Sequence, residues 1–146
     1  MSLEDKRCQR TARPLLCRGD REAAPLTVFC DTSALYAIVD RSDAAHRRAS
    51  GLWTMLLANA ERPGTTNYVL LETLTLLQAR LGMRAASDFR AAVEPILEIG
   101  WIDAALGEVA LAEFLGAHKR RLSLVDCSSF AYMRSKNVRR GFESYR

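Results

Sequence analysis

Leu26-Thr27-Val28-Phe29-Cys30-Asp31-Thr32-Ser33 is the stretch on which the reading of this chain turns. Leu26 to Cys30 is short and continuously apolar, the pattern of a strand buried on both faces in a parallel sheet. Asp31 lies just past its end, and Thr32-Ser33 can cap a helix running to about Val39, with Asp31 itself an equally ordinary cap. In open α/β sheets, ligands bind outside the carboxyl ends of the strands. Asp31 is expected at such an end.

Two further acids interrupt apolar runs in the same way. Glu72 separates Tyr68-Val69-Leu70-Leu71 from Leu74-Thr75-Leu76-Leu77, and Asp126 follows Leu122-Ser123-Leu124-Val125. A carboxylate taken out of water must be paired, neutralised or bound to a cation. Asp126 can be read as a first-turn acid favoured by the helix dipole. Glu72 is harder to explain structurally, because no Lys or Arg stands at positions 68, 69, 75 or 76. Convergence of all three on one divalent cation is the economical reading. Hard oxygen ligands suit Mg²⁺ or Mn²⁺.

Outward from these residues, the chain reads as alternating short strands and helices, hence an α/β fold with a parallel sheet. Ser42 is expected to cap a helix through Ala60. Pro63-Gly64 breaks the chain, and Thr65-Thr66 is extended. A helix from Asn67 to Leu81, closed by Gly82, is apolar on nearly every face and so is expected to be buried. Helices follow at about Arg84 to Val93, before Pro95, and at Gly107 to Leu115, with a short strand at Gly100 to Asp103 between them. Ser123 caps a last helix to Ser135, and Val138 to Tyr145 is expected as an edge strand.

The 146 residues amount to one domain. Residues 1 to 25 carry no periodicity and are expected to be a disordered or loosely attached extension, with the domain spanning 26 to 146. No apolar run approaches the roughly 20 residues that cross a bilayer, and no secretory signal is present, so the expected compartment is cytoplasmic. Cys8, Cys17, Cys30 and Cys127 lack metal-ligand spacing and are expected to be reduced, the last two as buried apolar residues. The net charge of +4 is uneven. Residues 117 to 146 hold eight basic and two acidic side chains, a net +6, whereas residues 26 to 116 carry a net −4. A basic end beside acidic candidates suits a polyanion.

As a set, Cys30-Asp31-Thr32-Ser33-Ala34-Leu35, Thr66-Asn67-Tyr68-Val69-Leu70-Leu71-Glu72-Thr73 and Ser123-Leu124-Val125-Asp126-Cys127-Ser128-Ser129-Phe130 resemble, in order and spacing, the three motif blocks of PIN-domain proteins, especially VapC-type toxins. The resemblance implies a PIN-like three-layer α/β/α fold with a short-stranded, mainly parallel sheet. It also implies an endoribonuclease, the toxin of a type II toxin–antitoxin system, cleaving RNA by Mg²⁺- or Mn²⁺-activated water. Its expected partners are a small cognate antitoxin and a second copy of itself in a homodimer.

By position, Asp31 and Asp126 resemble metal ligands, Glu72 a ligand or orienter of water, and Thr32, Ser33 and Asn67 neighbours that bond the carboxylates or substrate. Arg134, Lys136, Arg139 and Arg140 are expected to hold the RNA backbone. Asp43 and His46 match a recurring Asp-x-x-His pattern that reads as structural. The departure is at the C-terminus. Where the family carries a further acid this chain has Tyr145, with Glu143 the nearest carboxylate. An altered or truncated end is therefore expected, and with it an alternative: a PIN-like module that binds RNA or an antitoxin without cleaving. A phosphoacceptor regulator, which also uses a strand-end Asp, is disfavoured because no acidic pair precedes Asp31 in a strand-end setting.

Overall fold

β1 (Val28–Cys30) is buried along its whole length and lies inside a four-stranded parallel sheet of order β3-β2-β1-β4. The computed structural model describes residues 28–117 and 122–142. The proposed extension, the first residues of the expected strand, Glu143 and Tyr145 lie outside the described residues.

β2 (Pro63–Thr66) pairs with β1 on one side and with β3 (Glu98–Gly100) on the other; β4 (Gly141–Phe142) pairs with the far side of β1. Four parallel strands require crossovers, and the intervening helices supply them. They are α1 (Thr32–Val39), α2 (His46–Ala58), α3 (Asn67–Leu81), α4 (Met83–Ala92), α5 (Ala104–Gly116) and α6 (Leu124–Ser135). The result is the three-layer α/β/α arrangement. The chain steps from β1 to β2 to β3 and then returns to the other side of β1, so the order reverses there. Such a reversal opens a crevice at the carboxyl ends of the strands. Asp31 stands at that end of β1.

The main core gathers Phe29, Leu35, Trp53, Val69, Leu77, Phe89 and Tyr132. The rings of Phe29 and Tyr132 meet with centroids 6.3 Å apart, tilted by 49°, fixing α6 over the sheet. Gly100 makes that closeness possible. A Cβ there would lie 2.1 Å from the Tyr132 ring, so the end of β3 admits only glycine. Cys30 and Cys127 are free and buried. Burial, and then the charge of Asp31, pushes the Cys30 thiol up to about 12. It is a packing residue.

α3 starts at Asn67, ends at Leu81 and breaks at Gly82, whose φ of 89° lies in the left-handed region that glycine tolerates. Ser123 caps α6 as expected. Four local expectations are corrected. Ser42 does not cap α2: its N–H and hydroxyl both donate to Asp40, at 2.9 and 2.6 Å, and Asp43 takes the N–H of Ala45 at 2.7 Å. These Asx-type turns delay the helix to His46. Pro63-Gly64 belongs to β2 instead of breaking it. The strand placed at Gly100 to Asp103 ends at Gly100, because Asp103 caps α5 through the N–H of Leu106 at 2.9 Å. Finally, α3 buries only Val69, Thr73 and Leu77 fully, and Leu71 is 67% exposed. Its apolar surround is therefore partly an open surface.

Candidate active site

Asp31 leaves β1 with extended backbone and caps α1: its Oδ1 accepts the Ala34 N–H at 2.8 Å. The Ser33 hydroxyl reaches both Asp31 carboxylate oxygens at 3.0 Å. The cap reading and the site reading of Asp31 thus hold together, because the bonds that start the helix also fix the carboxylate at the sheet edge. Behind it, the buried Thr65 hydroxyl donates to the Cys30 carbonyl at 2.8 Å, pinning the last peptide of β1 to β2.

Glu72 reaches the same place from the second turn of α3. Its Oε2 accepts a hydrogen bond from the Thr32 hydroxyl, tying α3 to the first residue of α1. Glu72 is solvent-exposed, which overturns the sequence argument that it stands stranded in an apolar helix. It needs no buried partner because it was never desolvated.

Asp126 comes from the first turn of α6 and closes a reciprocal cap. Its Oδ2 accepts the Ser123 N–H at 2.8 Å while its own N–H donates to Ser123 Oγ at 3.0 Å. Two orphan donors of the helix start are satisfied by that exchange.

These three elements surround one cleft of about 940 Å³, lined by Asp31, Thr32, Ser33, Glu72, Ser123 and Asp126. Phe29 and Val69 supply apolar lining, Ser129, Phe130 and Met133 come from α6, and Asp43, Arg48 and Arg80 are among the remaining lining residues. Residues 41 and 54 positions apart in the chain therefore open onto the same solvent space. Residues 28–140 match the family model of the PIN domain.

The chain belongs to the PIN-domain family.

This PIN domain is 35% identical over 119 residues to the 23S rRNA-specific endonuclease VapC20 of Mycobacterium tuberculosis, with 79% of this chain and 86% of the relative covered. The same values hold for that protein in the CDC 1551 / Oshkosh and H37Rv strains. The crystal structure of M. tuberculosis VapC20, described as a sarcin-ricin loop cleaving toxin, superimposes with a TM-score of 0.70. It is 33% identical, and the match covers 80% of this chain and 90% of that one.

Set against the sequence expectations, the PIN domain brings Asp31, Glu72, Asp126, Thr32 and Ser33 to one cleft. The donor set, hard oxygens with no thiolate or imidazole, fits Mg²⁺ or Mn²⁺. Among the described residues, however, no three His, Cys, Asp or Glu side chains form a ready ligand cluster. One physical reason is visible: Glu72 is drawn to Thr32, and Asp126 to the Ser123 N–H. Asp31, Glu72 and Asp126 face a common cleft, each held by hydrogen bonds of its own.

Asn67 departs further. Its Oδ1 accepts the Ile102 N–H at 2.9 Å, fastening the segment after β3 to the start of α3. It is a structural brace, absent from the cleft lining. The His46 Nδ1–H donates to the Ala37 carbonyl at 2.7 Å, while Asp43 turns the chain ahead of α2 and also lines the cleft.

The basic residues expected to hold the RNA backbone stand apart from the cleft. Arg134 pairs with Glu113, and Arg140 with Glu61 at 2.6 Å. Lys136 and Arg139 are exposed, and none of the four lines the cleft. The cations that do line it are Arg48 and Arg80, and Arg80 stacks over the Tyr36 ring at 5.6 Å from its centroid. Both lie in the half of the chain whose net charge is negative, so a charge tally could not have found them. The signal available was spacing: Arg80 is eight residues after Glu72, about two helical turns along the same face of α3.

Proposed function

We propose that this PIN domain is the toxin of a type II toxin–antitoxin pair: a cytoplasmic endoribonuclease that cuts RNA phosphodiester bonds and is held in check by a small antitoxin. The carrying observation is that Asp31, Glu72 and Asp126, from three separate elements, line one cleft together with Asp43, in a chain 35% identical to a 23S rRNA endonuclease. Homodimer formation belongs to the same proposal. Among the described residues no helix is long and apolar enough to cross a membrane.

Asp31, Glu72 and Asp126 are the residues that would hold Mg²⁺ or Mn²⁺, with Glu143 a further candidate ligand. The ion's chemistry is to acidify water and to offset charge building up on phosphate oxygens. The rest falls to the chain. Asp31 is locked by Ser33 and the Ala34 N–H, so it is oriented before substrate arrives. Glu72, long and exposed, swings from Thr32 to orient the attacking water and accept its proton at Oε2. Arg48 and Arg80 grip phosphates along the cleft, the Tyr36 ring holding Arg80 extended. Guanidinium groups suit this task because their planar forks match phosphate oxygens.

The test is cleavage of a hairpin RNA carrying the sarcin-ricin loop, with Mg²⁺ or Mn²⁺ and with EDTA. Cleavage that EDTA stops and Asp31→Asn lowers by at least about a hundredfold is the expected result. Equal activity in parent and variant, free of contaminating nuclease, eliminates the role of Asp31.

A second reading, a PIN module that binds RNA or antitoxin without cutting, is favoured by the prior engagement of Glu72 and Asp126 and by Tyr145 in place of the family's last acid. RNA binding with no cleavage under any divalent ion would select it.

A further inference from the structure

Phe130 is unlike the apolar residues beside it on α6. Cys127, Ala131 and Tyr132 are buried, whereas Phe130 is 41% exposed and lines the carboxylate cleft. It follows Asp126 by four residues, so the two share a helix face with about 6 Å of axial rise between them. Resting on the ribonuclease reading, we propose that Phe130 is a stacking platform for an unpaired base next to the scissile phosphate.

The argument is one of matched spacing and chemistry. A nucleotide presents a charged phosphate and, a sugar away, a flat apolar base. The cleft presents a carboxylate and, one helical turn away, an open aromatic ring, with Arg48 and Arg80 in the same lining. Bases in a duplex are stacked on both faces and cannot lie on a protein ring; splayed bases can. Every base has a π-face, so such a platform selects for an unpaired base more than for its identity. An apolar side chain of a protein partner would also cover a phenyl ring. The neighbouring groove of Tyr68, Leu71, Thr75, Leu76, Ala79 and Val125 suits that purpose far better, being mostly apolar although Glu72 also lines it. The ring among carboxylates and arginines suits a nucleotide.

The experiment uses the full chain and the sarcin-ricin loop hairpin, intact and as a set with one abasic loop position each, beside a blunt duplex. Phe130→Leu keeps apolar bulk without a π-face; Phe130→Trp keeps the face. On the intact hairpin, Phe130→Leu is expected to lower kcat/KM about 5- to 150-fold, mostly through KM, and Phe130→Trp to stay near the parent. On the hairpin whose abasic site removes the stacked base, parent and Phe130→Leu become equal. Thermal melts within a few degrees of the parent show that the variants are folded. Phe130→Leu within twofold of the parent, a deficit that is the same on every abasic hairpin, or duplex cut as fast as loop each overturn the platform while leaving the ribonuclease reading intact. A parent that neither binds nor cuts RNA overturns both.

Discussion

Arg48 and Arg80 line the same cleft as Asp31, Glu72 and Asp126, whereas Arg134 and Arg140 are tied to Glu113 and Glu61 outside it. The four side chains are chemically identical, and the sequence favours the second pair, which sits in the net +6 end of the chain. What separates them is address. Arg80 stands on α3, the helix that brings Glu72 to the sheet edge, and its guanidinium is laid on the Tyr36 ring. Charge density along a polymer does not report which charges share a cavity with the chemistry. An arginine with a glutamate already on it must also give up that pair before it can bind a phosphate.

The largest expected effect breaks or keeps this contrast directly. Arg48→Ala with Arg80→Ala should lower RNA cleavage by about a hundredfold or more, two charge-assisted contacts being worth roughly 1.5 kcal/mol or more each. It should also reduce the slope of log binding constant against log salt by about one to two. Arg134→Ala with Arg140→Ala should leave cleavage within about twofold and cost less than about 1 kcal/mol per surface pair in urea unfolding. The reverse ranking would restore the sequence's choice.

Gly100→Ala moves the wall without touching any charge. The added methyl meets the Tyr132 ring at 2.1 Å, so α6 must shift or the protein must unfold. A loss of about 1–3 kcal/mol or more in equilibrium denaturation is expected, overpacked cores falling in that range. Unchanged stability would show that α6 is free to slide and that Asp126 is not held by packing.

A smaller effect separates the two duties of Asp126. Ser123→Ala removes one half of the reciprocal cap and should cost about 1 kcal/mol of stability, with cleavage in the folded protein largely kept. Asp126→Asn should do the opposite, because Asn still caps but carries no charge. The smallest effect lies at the far end of α1. Hydrogen bonds from Ser42, and then Tyr36, hold the Asp40 carboxyl below its ordinary range. Its contribution is therefore present above the unfolded value, near 3.9, and is lost as pH falls through the folded one. Asp40→Asn should flatten the acid limb of a melting-temperature profile between about pH 5 and 2.

Much of the frame could be read from residues with one local meaning. Val28 to Cys30 has no solvent-compatible face, so it had to be an inner strand, and Gly82 marks the end of α3 because few other residues accept its φ. The boundaries of α6 follow from Ser123, whose only efficient use at that position is a cap. Misreadings arose where a residue had several local options. Ser42 could cap, and instead gave both its bonds to Asp40. Asp103 could end a strand or start a helix, and the geometry after Gly100 chose the helix.

The cleft was legible only in part. Asp31, Glu72 and Asp126 announce themselves by interrupting apolar runs, although Glu72 lies on an open face of α3 and is not desolvated there. Asn67, inside a motif block, uses its Oδ1 to hold the Ile102 N–H just past β3 and is not among the cleft-lining residues. Arg48 and Arg80 carry no motif at all, and Phe130 ends the third motif block without any local sign of a role. Their membership depends on how α2, α3 and α6 pack, and pairing between distant helices leaves no trace in local pattern.

The central claim, that three carboxylates far apart in sequence act as one cation site, is tested most directly by calorimetric titration with Mn²⁺. The account predicts saturable binding that weakens at least about tenfold, roughly 1.4 kcal/mol, in Asp31→Asn and in Asp126→Asn alike, with the double variant little worse than either. Absence of binding up to millimolar Mn²⁺, or variants that bind as tightly as the parent, would contradict it.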